Sequence, residues 1–379
     1  MNILILCYEY PPLGGGGSRV VAGLARALAE AGHAVTIYTS RMPGLPAEAF
    51  DGAVRVRRVR TWRRRADRSN APELLVYAAA MLVAVLRDRP DRAADLAHVH
   101  FLLPDGLVAW LMRRLTGLRF IATAHGSDVP GYNPHRFRLA HRLLAPLWRR
   151  IVASADRVVC ASMGLRDSIV RAAPEAAPVV IPNGLDEARF SPDQPRRLAL
   201  LSVTRLFERK GLHHLLDAAA GLRRPVPIDI VGAGPQRAAL EAQAARLGLP
   251  VTFHGWLDND DQKLRDLLEK TAIFVLPSSA ENFPVSLLEA MAAGMAIVTT
   301  ADTGCAEVVG DAALLVPSGD VPALGAALDR LIGDPALRAR LGARARRHFE
   351  RAFTWTTVAA THERLYRQVL AERAKPADA

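Results

Sequence analysis

The sequence predicts an α/β protein of two doubly wound, Rossmann-like domains, and three observations carry that prediction. Short apolar runs such as Asn2–Cys7, Ala34–Thr39 and Ala272–Leu276 have the length and β-branched content of buried strands. Longer helical segments lie between them, the alternation that a parallel sheet with crossover helices requires. The rhythm halts at Ile181-Pro-Asn-Gly-Leu-Asp186 and at Pro192, Gln194 and Pro195, then restarts at Leu198. With 379 residues the chain has room for two or three cores. The boundaries read as 1–187, 188–352 and a last helical segment, 353–379.

Composition narrows the classes. Half of the residues are apolar and 23% are charged, an ordinary soluble balance. Cys7, Cys160 and Cys305 are odd in number and lack CxxC spacing, so no disulfide framework or zinc site follows and a reducing cytoplasm fits. Met1–Cys7 lacks a basic flank and a cleavage site, and reads as a strand rather than a signal peptide. The longest apolar run, Leu74–Leu86, makes about 20 Å of helix, too short for a membrane span. Charge is uneven: residues 1–190 carry a net +10 and the rest +1. Arg55, Arg57, Arg58, Arg60, Arg63, Arg64, Arg65 and Arg68 crowd around Trp62. That segment is either a solvated edge or a surface for anionic headgroups or an acidic partner. No aromatic-interleaved platform accompanies it, which argues against nucleic acid.

After the first strand, Gly14-Gly15-Gly16-Gly17 opens onto a helix over Ser18–Ala31. Such a run lets backbone approach a ligand at a helix N-terminus, but it does not match GxGxxG. Val54, Val56 and Val59 predict an edge strand among arginines, Pro72–Arg87 a helix and Leu96–Phe101 a strand. His98 and His100 share one face of that strand, with no carboxylate or cysteine nearby to complete a metal set. A helix over Pro104–Thr116 leads to the strand Leu118–Ala124, which runs into His125-Gly-Ser-Asp128. A histidine at the carboxyl end of a parallel strand points into the ligand crevice. Asp128 either caps the turn or touches a ligand. Helices over His135–Ala153 and Met163–Ala172 and strands over Arg157–Ala161 and Pro178–Ile181 complete the first half.

In the second half, Leu198–Val203 precedes Arg205 and Lys210-Gly211, two cations straddling a strand-to-helix loop where they could neutralise a diphosphate. Ile228–Gly232 meets Gly234-Pro235, and Val251–His254 meets Trp256. Asp258-Asn-Asp260-Asp261 looks like a DxD metal motif, yet it stands just before the helix Gln262–Lys270, where capping acids are expected. Next comes Pro277–Gly294: a tight loop bearing Glu281, with Asn282 as a capping residue and Pro284 starting a helix that carries Glu289 and ends at Gly294.

Glu281-x7-Glu289 followed by Ala-Met-Ala-x-Gly resembles the signature of the retaining glycosyltransferases of family 4, which adopt the two-domain GT-B fold. Thr123-x-His125-Gly126, Pro182-Asn-Gly-Leu-Asp186, Arg205…Lys210-Gly211 and Gly232-x-Gly234-Pro235 match in order, over nearly the whole chain. Ala296 stands where the family often has proline. The resemblance implies an N-terminal acceptor domain facing a C-terminal nucleotide-sugar domain across a cleft, with the last helix crossing back to the first domain. It implies that Glu289 holds ribose hydroxyls, that Glu281 with the backbone of Asn282, Phe283 and Pro284 holds the sugar, and that Arg205 and Lys210 grip the pyrophosphate. His125 would stand near the donor sugar, with Gly15, Gly16, Asp128 and Gly234 lining the substrates. The implied reaction is hexosyl transfer from a UDP- or GDP-sugar to a hydroxyl, in polysaccharide or glycolipid synthesis, without a metal or other cofactor. The acceptor would be a saccharide or lipid-linked molecule, and the Arg-rich first half could set a cytoplasmic protein against the inner face of an anionic membrane. A nucleotide-sugar epimerase on the same fold, or a non-catalytic basic membrane- or polyanion-binding protein, is the alternative. A pyridoxal phosphorylase fits less well, because it needs a buried lysine and the chain has only four.

Overall fold

In the computed structural model the chain divides into two compact units, Met1–Gly184 with Trp355–Ala379, and Leu185–Thr354. Residues 1–66, 69–131, 138–191 and 194–372 are described; Arg68, Pro192 and the expected helix start at His135 lie outside them. The divisions fall a few residues from 187/188 and 352/353. Leu185 N–H donates to Phe353 O at 2.8 Å and Leu185 bridges Thr354, which ties both crossing points into the second unit.

The first unit runs β1 (Asn2–Leu6), α1 (Gly16–Glu30), β2 (Ala34–Arg41), β3 (Glu48–Asp51), β4 (Val54–Arg60), α2 (Ala71–Asp88), β5 (Leu96–His100), α3 (Asp105–Thr116), β6 (Phe120–Ala124), α4 (Arg138–Ser154), β7 (Arg157–Cys160), α5 (Met163–Ala172) and β8 (Val179–Val180). Its sheet order is β3-β4-β2-β1-β5-β6-β7-β8, parallel except for the β3–β4 pair. β5 and β6 are buried at every residue, His98 and His100 included, because helices cover both faces of the sheet. Two expectations are corrected here. β4 is not the edge, since a turn at Gly52 folds β3 back onto it. α1 begins two residues earlier than Ser18, so Gly16 and Gly17 form its first turn and Gly15 is the cap.

The second unit runs β9 (Arg197–Val203), α6 (Leu212–Ala220), β10 (Ile228–Val231), α7 (Arg237–Arg246), β11 (Val251–Gly255), α8 (Gln262–Lys270), β12 (Thr271–Leu276), α9 (Val285–Ala292), β13 (Ala296–Thr300), α10 (Gly304–Val309), β14 (Leu314–Val316), α11 (Val321–Gly333) and α12 (Pro335–Ala352). All its strands are parallel, in the order β11-β10-β9-β12-β13-β14. The chain then returns to the first unit as α13 (Trp355–Ala371), which packs on α1 and buries Leu365, Tyr366 and Val369 in that unit's core.

Each sheet has one place where successive crossovers leave in opposite directions: beside β1, between β2 and β5, and beside β9, between β10 and β12. Loops at the carboxyl ends of those strands flank a crevice, the usual ligand position of an open α/β sheet. The loops concerned are 7–15 and 101–104 in the first unit, and 204–211 and 277–284 in the second.

Candidate active site

In the second unit the loops after β9 and β12 bring Lys210 and Glu281 together. Lys210 Nζ donates to Glu281 Oε1 at 2.5 Å, and both side chains are about 10% exposed. Backbone packing explains the closeness. A methyl group on Gly211 would stand 2.1 Å from the Pro277 carbonyl oxygen, and Gly211 has φ +69°, so only glycine lets the two loops meet. Ser278 Oγ and Ser279 N–H both donate to Arg209 O, lacing the loops together. Gly304 N–H donates to Glu281 O and fixes the backbone that carries the acid. Gly234 packs as tightly on the same region: a methyl there would lie 2.4 Å from Leu206 O.

Arg205 takes a different position from Lys210. It is exposed, and its guanidinium carbon lies 5.6 Å from the centre of the Phe207 ring, with Arg209 at 5.7 Å. Two cations therefore lie close to one exposed aromatic ring.

Glu289 is 3% exposed on α9, and its Oε1 accepts from Arg189 Nη1 at 3.1 Å and from Asn259 Nδ2 at 3.4 Å. Neither partner was expected. Asn259 lies inside the Asp-Asn-Asp-Asp segment, whose last acid caps α8 through Lys263 N–H at 2.8 Å. Asp258 Oδ1 accepts from Trp256 Nε1 at 3.2 Å. Among the described residues no group of three histidine, cysteine or acidic side chains converges to hold a metal ion. The start of α9 differs from expectation. Pro284 stands at the cap with extended backbone (φ −73°, ψ 116°) and without a side-chain capping bond, so the helix begins at Val285 and Asn282 does not cap it. Phe283 packs edge-on against Phe353, 5.7 Å between ring centres.

In the first unit His125 sits just past β6. Its Nε2 is 3.1 Å from His100 Nδ1, and its ring lies 4.4 Å from that of Phe101. Burial pushes the His125 imidazole down to about 4, so it is neutral near pH 7. Asp128 is spent on the turn: Oδ1 accepts from His125 N–H at 2.9 Å and Oδ2 from Leu102 N–H at 2.7 Å. Both of its oxygens thus accept from backbone N–H groups. Gly15 N–H donates to Glu9 Oε2 at 3.4 Å, and nothing lies within 4 Å of where a methyl on Gly15 or Gly16 would point. Arg63 also departs from the basic-surface reading. It is 5% exposed, donates to Tyr8 O, Arg65 O and Ala66 O at 2.9–3.0 Å and lies 3.7 Å from Glu9, whereas Arg64 and Arg65 are exposed.

Comparison with known proteins agrees with this layout. Residues 14–189 match the family model described as Glycosyltransferase Family 4, and residues 186–348 the model described as Glycosyl transferases group 1. A glycogen synthase of Mycobacterium tuberculosis is 30% identical over 97% of this chain and 94% of its own length. A 2-deoxystreptamine N-acetyl-D-glucosaminyltransferase of Streptomyces fradiae is 32% identical over 84% of this chain and 82% of its own. Among solved structures, a sucrose-phosphate synthase from Thermosynechococcus elongatus superposes with a TM-score of 0.80 at 25% identity, covering 98% of this chain and all of that one. The Anabaena protein HepE, solved with UDP-glucose, gives 0.71 at 18% identity, covering 97% of this chain and all of that one. Motifs, sheet order and relatives converge: the chain belongs to the family 4 glycosyltransferases of the GT-B fold.

Proposed function

We propose that the protein moves a hexosyl unit from a UDP- or GDP-sugar to a hydroxyl acceptor with retention of anomeric configuration and without a metal or other cofactor. The observation that carries this reading is the Lys210–Glu281 pair at the β9/β12 switch point, with Glu289 held on the helix that follows. A nucleoside diphosphate needs a cation for its phosphates and carboxylates for hydroxyls, and these loops offer both within one unit. HepE, which shares the fold, is solved with such a donor.

In this reading Lys210 and Arg205 stabilise the departing diphosphate. Glu281 orients the sugar as it gains oxocarbenium character, and Glu289 holds the ribose diol. A double displacement would need a carboxylate free to attack, about 5 Å from a partner. Glu281 is instead tied to Lys210, so same-face displacement, with the leaving phosphate taking the acceptor proton, fits better. The test is a panel of UDP- and GDP-sugars with saccharide and lipid-linked acceptors, read as nucleotide release and product anomer. Release that depends on acceptor with a retained anomer supports the proposal; free epimer without acceptor replaces it with an epimerase.

A cytoplasmic protein resting on an anionic membrane surface is the accompanying proposal. The outward stripe of α2, Leu75, Ala79, Val83 and Leu86, is exposed and wholly apolar, with Leu75 67% exposed. Exposed Trp62, Arg64 and Arg65 precede it, and Arg87 follows. An apolar face rimmed by cations suits an interfacial helix. Cosedimentation with phosphatidylglycerol vesicles, lost in Leu75→Glu/Val83→Glu, is the expected result; equal binding by that variant discards it.

A further inference from the structure

The stacked histidines of the first unit determine which nitrogen of His125 carries hydrogen. His100 Nδ1 and His125 Nε2 lie 3.1 Å apart, a bond that two neutral rings form only when one nitrogen is protonated and the other bare. Burial depresses both rings, so neither is an imidazolium near pH 7. His98, packed 4.4 Å from the His100 ring, does not set the direction. Its own nitrogens are bonded to Tyr366 Oη and Thr123 Oγ1, both at 2.7 Å.

The far nitrogen of His100 decides. His100 is 1% exposed and its Nε2 is buried without a hydrogen-bond partner. A buried N–H with no acceptor loses its bond to water and gains nothing, and orphaned donors are rarer in proteins than orphaned acceptors. His100 Nε2 is therefore the bare nitrogen and Nδ1 holds the hydrogen. It donates to His125 Nε2, and His125 must then carry its own hydrogen on Nδ1. That edge faces the first turn of α1, since a methyl on Gly17 would lie 3.9 Å from His125 Nδ1.

We propose that His100 is a positioning residue that fixes His125 as its Nδ1–H tautomer, so that His125 meets substrate as a hydrogen-bond donor and not as a base. The fitting ligand atom is an oxygen with lone pairs, a sugar hydroxyl or a phosphate oxygen, which the N-terminal turn of α1 also favours. The donor role rests on the reading that His125 faces substrate; the tautomer does not.

The experiment uses the full chain with ¹⁵N- and ¹³C-labelled histidine rings, the His125 signals being those missing from His125→Gln. The expected wild-type spectrum has His125 protonated at Nδ1 and bare at Nε2. His100→Asn, whose amide still donates, keeps that pattern and near-normal turnover. His100→Asp, which only accepts, moves the hydrogen to His125 Nε2 and lowers kcat/KM about 100-fold, the effect of losing one preorganised donor. Wild-type His125 protonated at Nε2 overturns the proposal, whether or not the variants fold. A shifted tautomer with undiminished turnover overturns the donor role and, separately, the placement of His125 at substrate.

Discussion

Lys210 Nζ and Glu281 Oε1, 71 positions apart in sequence, meet at 2.5 Å because the two loops that carry them end adjacent strands of one sheet. Lys210 is 8% exposed and its charge is answered by that carboxylate. A diphosphate bound there competes with Glu281 for the same cation. Lys210→Ala should therefore weaken UDP or GDP binding by roughly 10- to 100-fold, the worth of a charge-assisted bond of about 1.5–3 kcal/mol. Glu281→Gln should leave nucleotide binding equal or tighter while abolishing transfer. Calorimetry with the nucleotide, alongside a turnover assay, checks both; weaker nucleotide binding in Glu281→Gln would contradict the assigned competition.

Arg189 and Glu289 form another largely buried pair, with side chains 12% and 4% exposed. Removing one member leaves the other charge buried, at a cost of about 3–5 kcal/mol. Arg189→Ala should therefore lower both stability and donor affinity, and the double variant Arg189→Ala/Glu289→Ala should be more stable than the sum of the singles. Denaturant titration of the four proteins, with and without nucleotide, measures the coupling. An additive cycle would show that Arg189 does not hold the acid.

Much of this was legible in the sequence because strand ends and glycine loops are local signals. Ala272–Gly294 reads as strand, loop and helix by itself, and a parallel sheet then brings its loop near that of another strand end. Long-range partners leave no such trace. Arg189 carries no local signal, since its carboxylate is 100 residues away. Arg63 looked like one more surface cation, because the carbonyls that bury it have no side-chain identity to read. β3 escaped notice because Glu48–Asp51 has no apolar alternation, and the cap of α9 because a proline suits either the last extended or the first helical position.

Asp258, Asn259 and Asp261 each have a partner in protein: Trp256 Nε1, Glu289 and the start of α8. Side chains engaged in this way are poorly arranged to ligate a cation. EDTA should leave transfer unchanged. Abolition by EDTA with rescue by Mn²⁺ would reassign Asp258 and Asp260 as ligands.

Arg63 holds three carbonyls and pairs with Glu9, which in turn accepts from Gly15 N–H in the glycine loop. Arg63→Ala should cost about 3 kcal/mol, as for other broken buried pairs, and lower the melting temperature by several degrees. Arg64→Ala and Arg65→Ala should stay within about 0.5 kcal/mol of wild type, as exposed substitutions do. Equal effects at all three positions would refute the distinction.

Asp105 supplies the last test, through pH. It is fully buried at the start of α3, accepting from Tyr77 Oη at 2.5 Å and Tyr8 N–H at 3.1 Å. Burial raises its carboxyl to about 8, more than those two donors lower it. The folded chain thus keeps a proton that the unfolded chain releases near 4. Between those values the native state binds more protons, so this group's contribution to stability is full below about pH 4 and is lost as pH rises toward 8. Asp105→Asn removes that loss while keeping the shape. Its stability relative to wild type should improve by about 1.4 kcal/mol per pH unit between pH 6 and 8, then level off. Urea titrations of both proteins at pH 6, 7, 8 and 9 measure the difference, in which other ionising groups cancel. A difference that stays constant across the series would mean that Asp105 is already ionised in the folded protein.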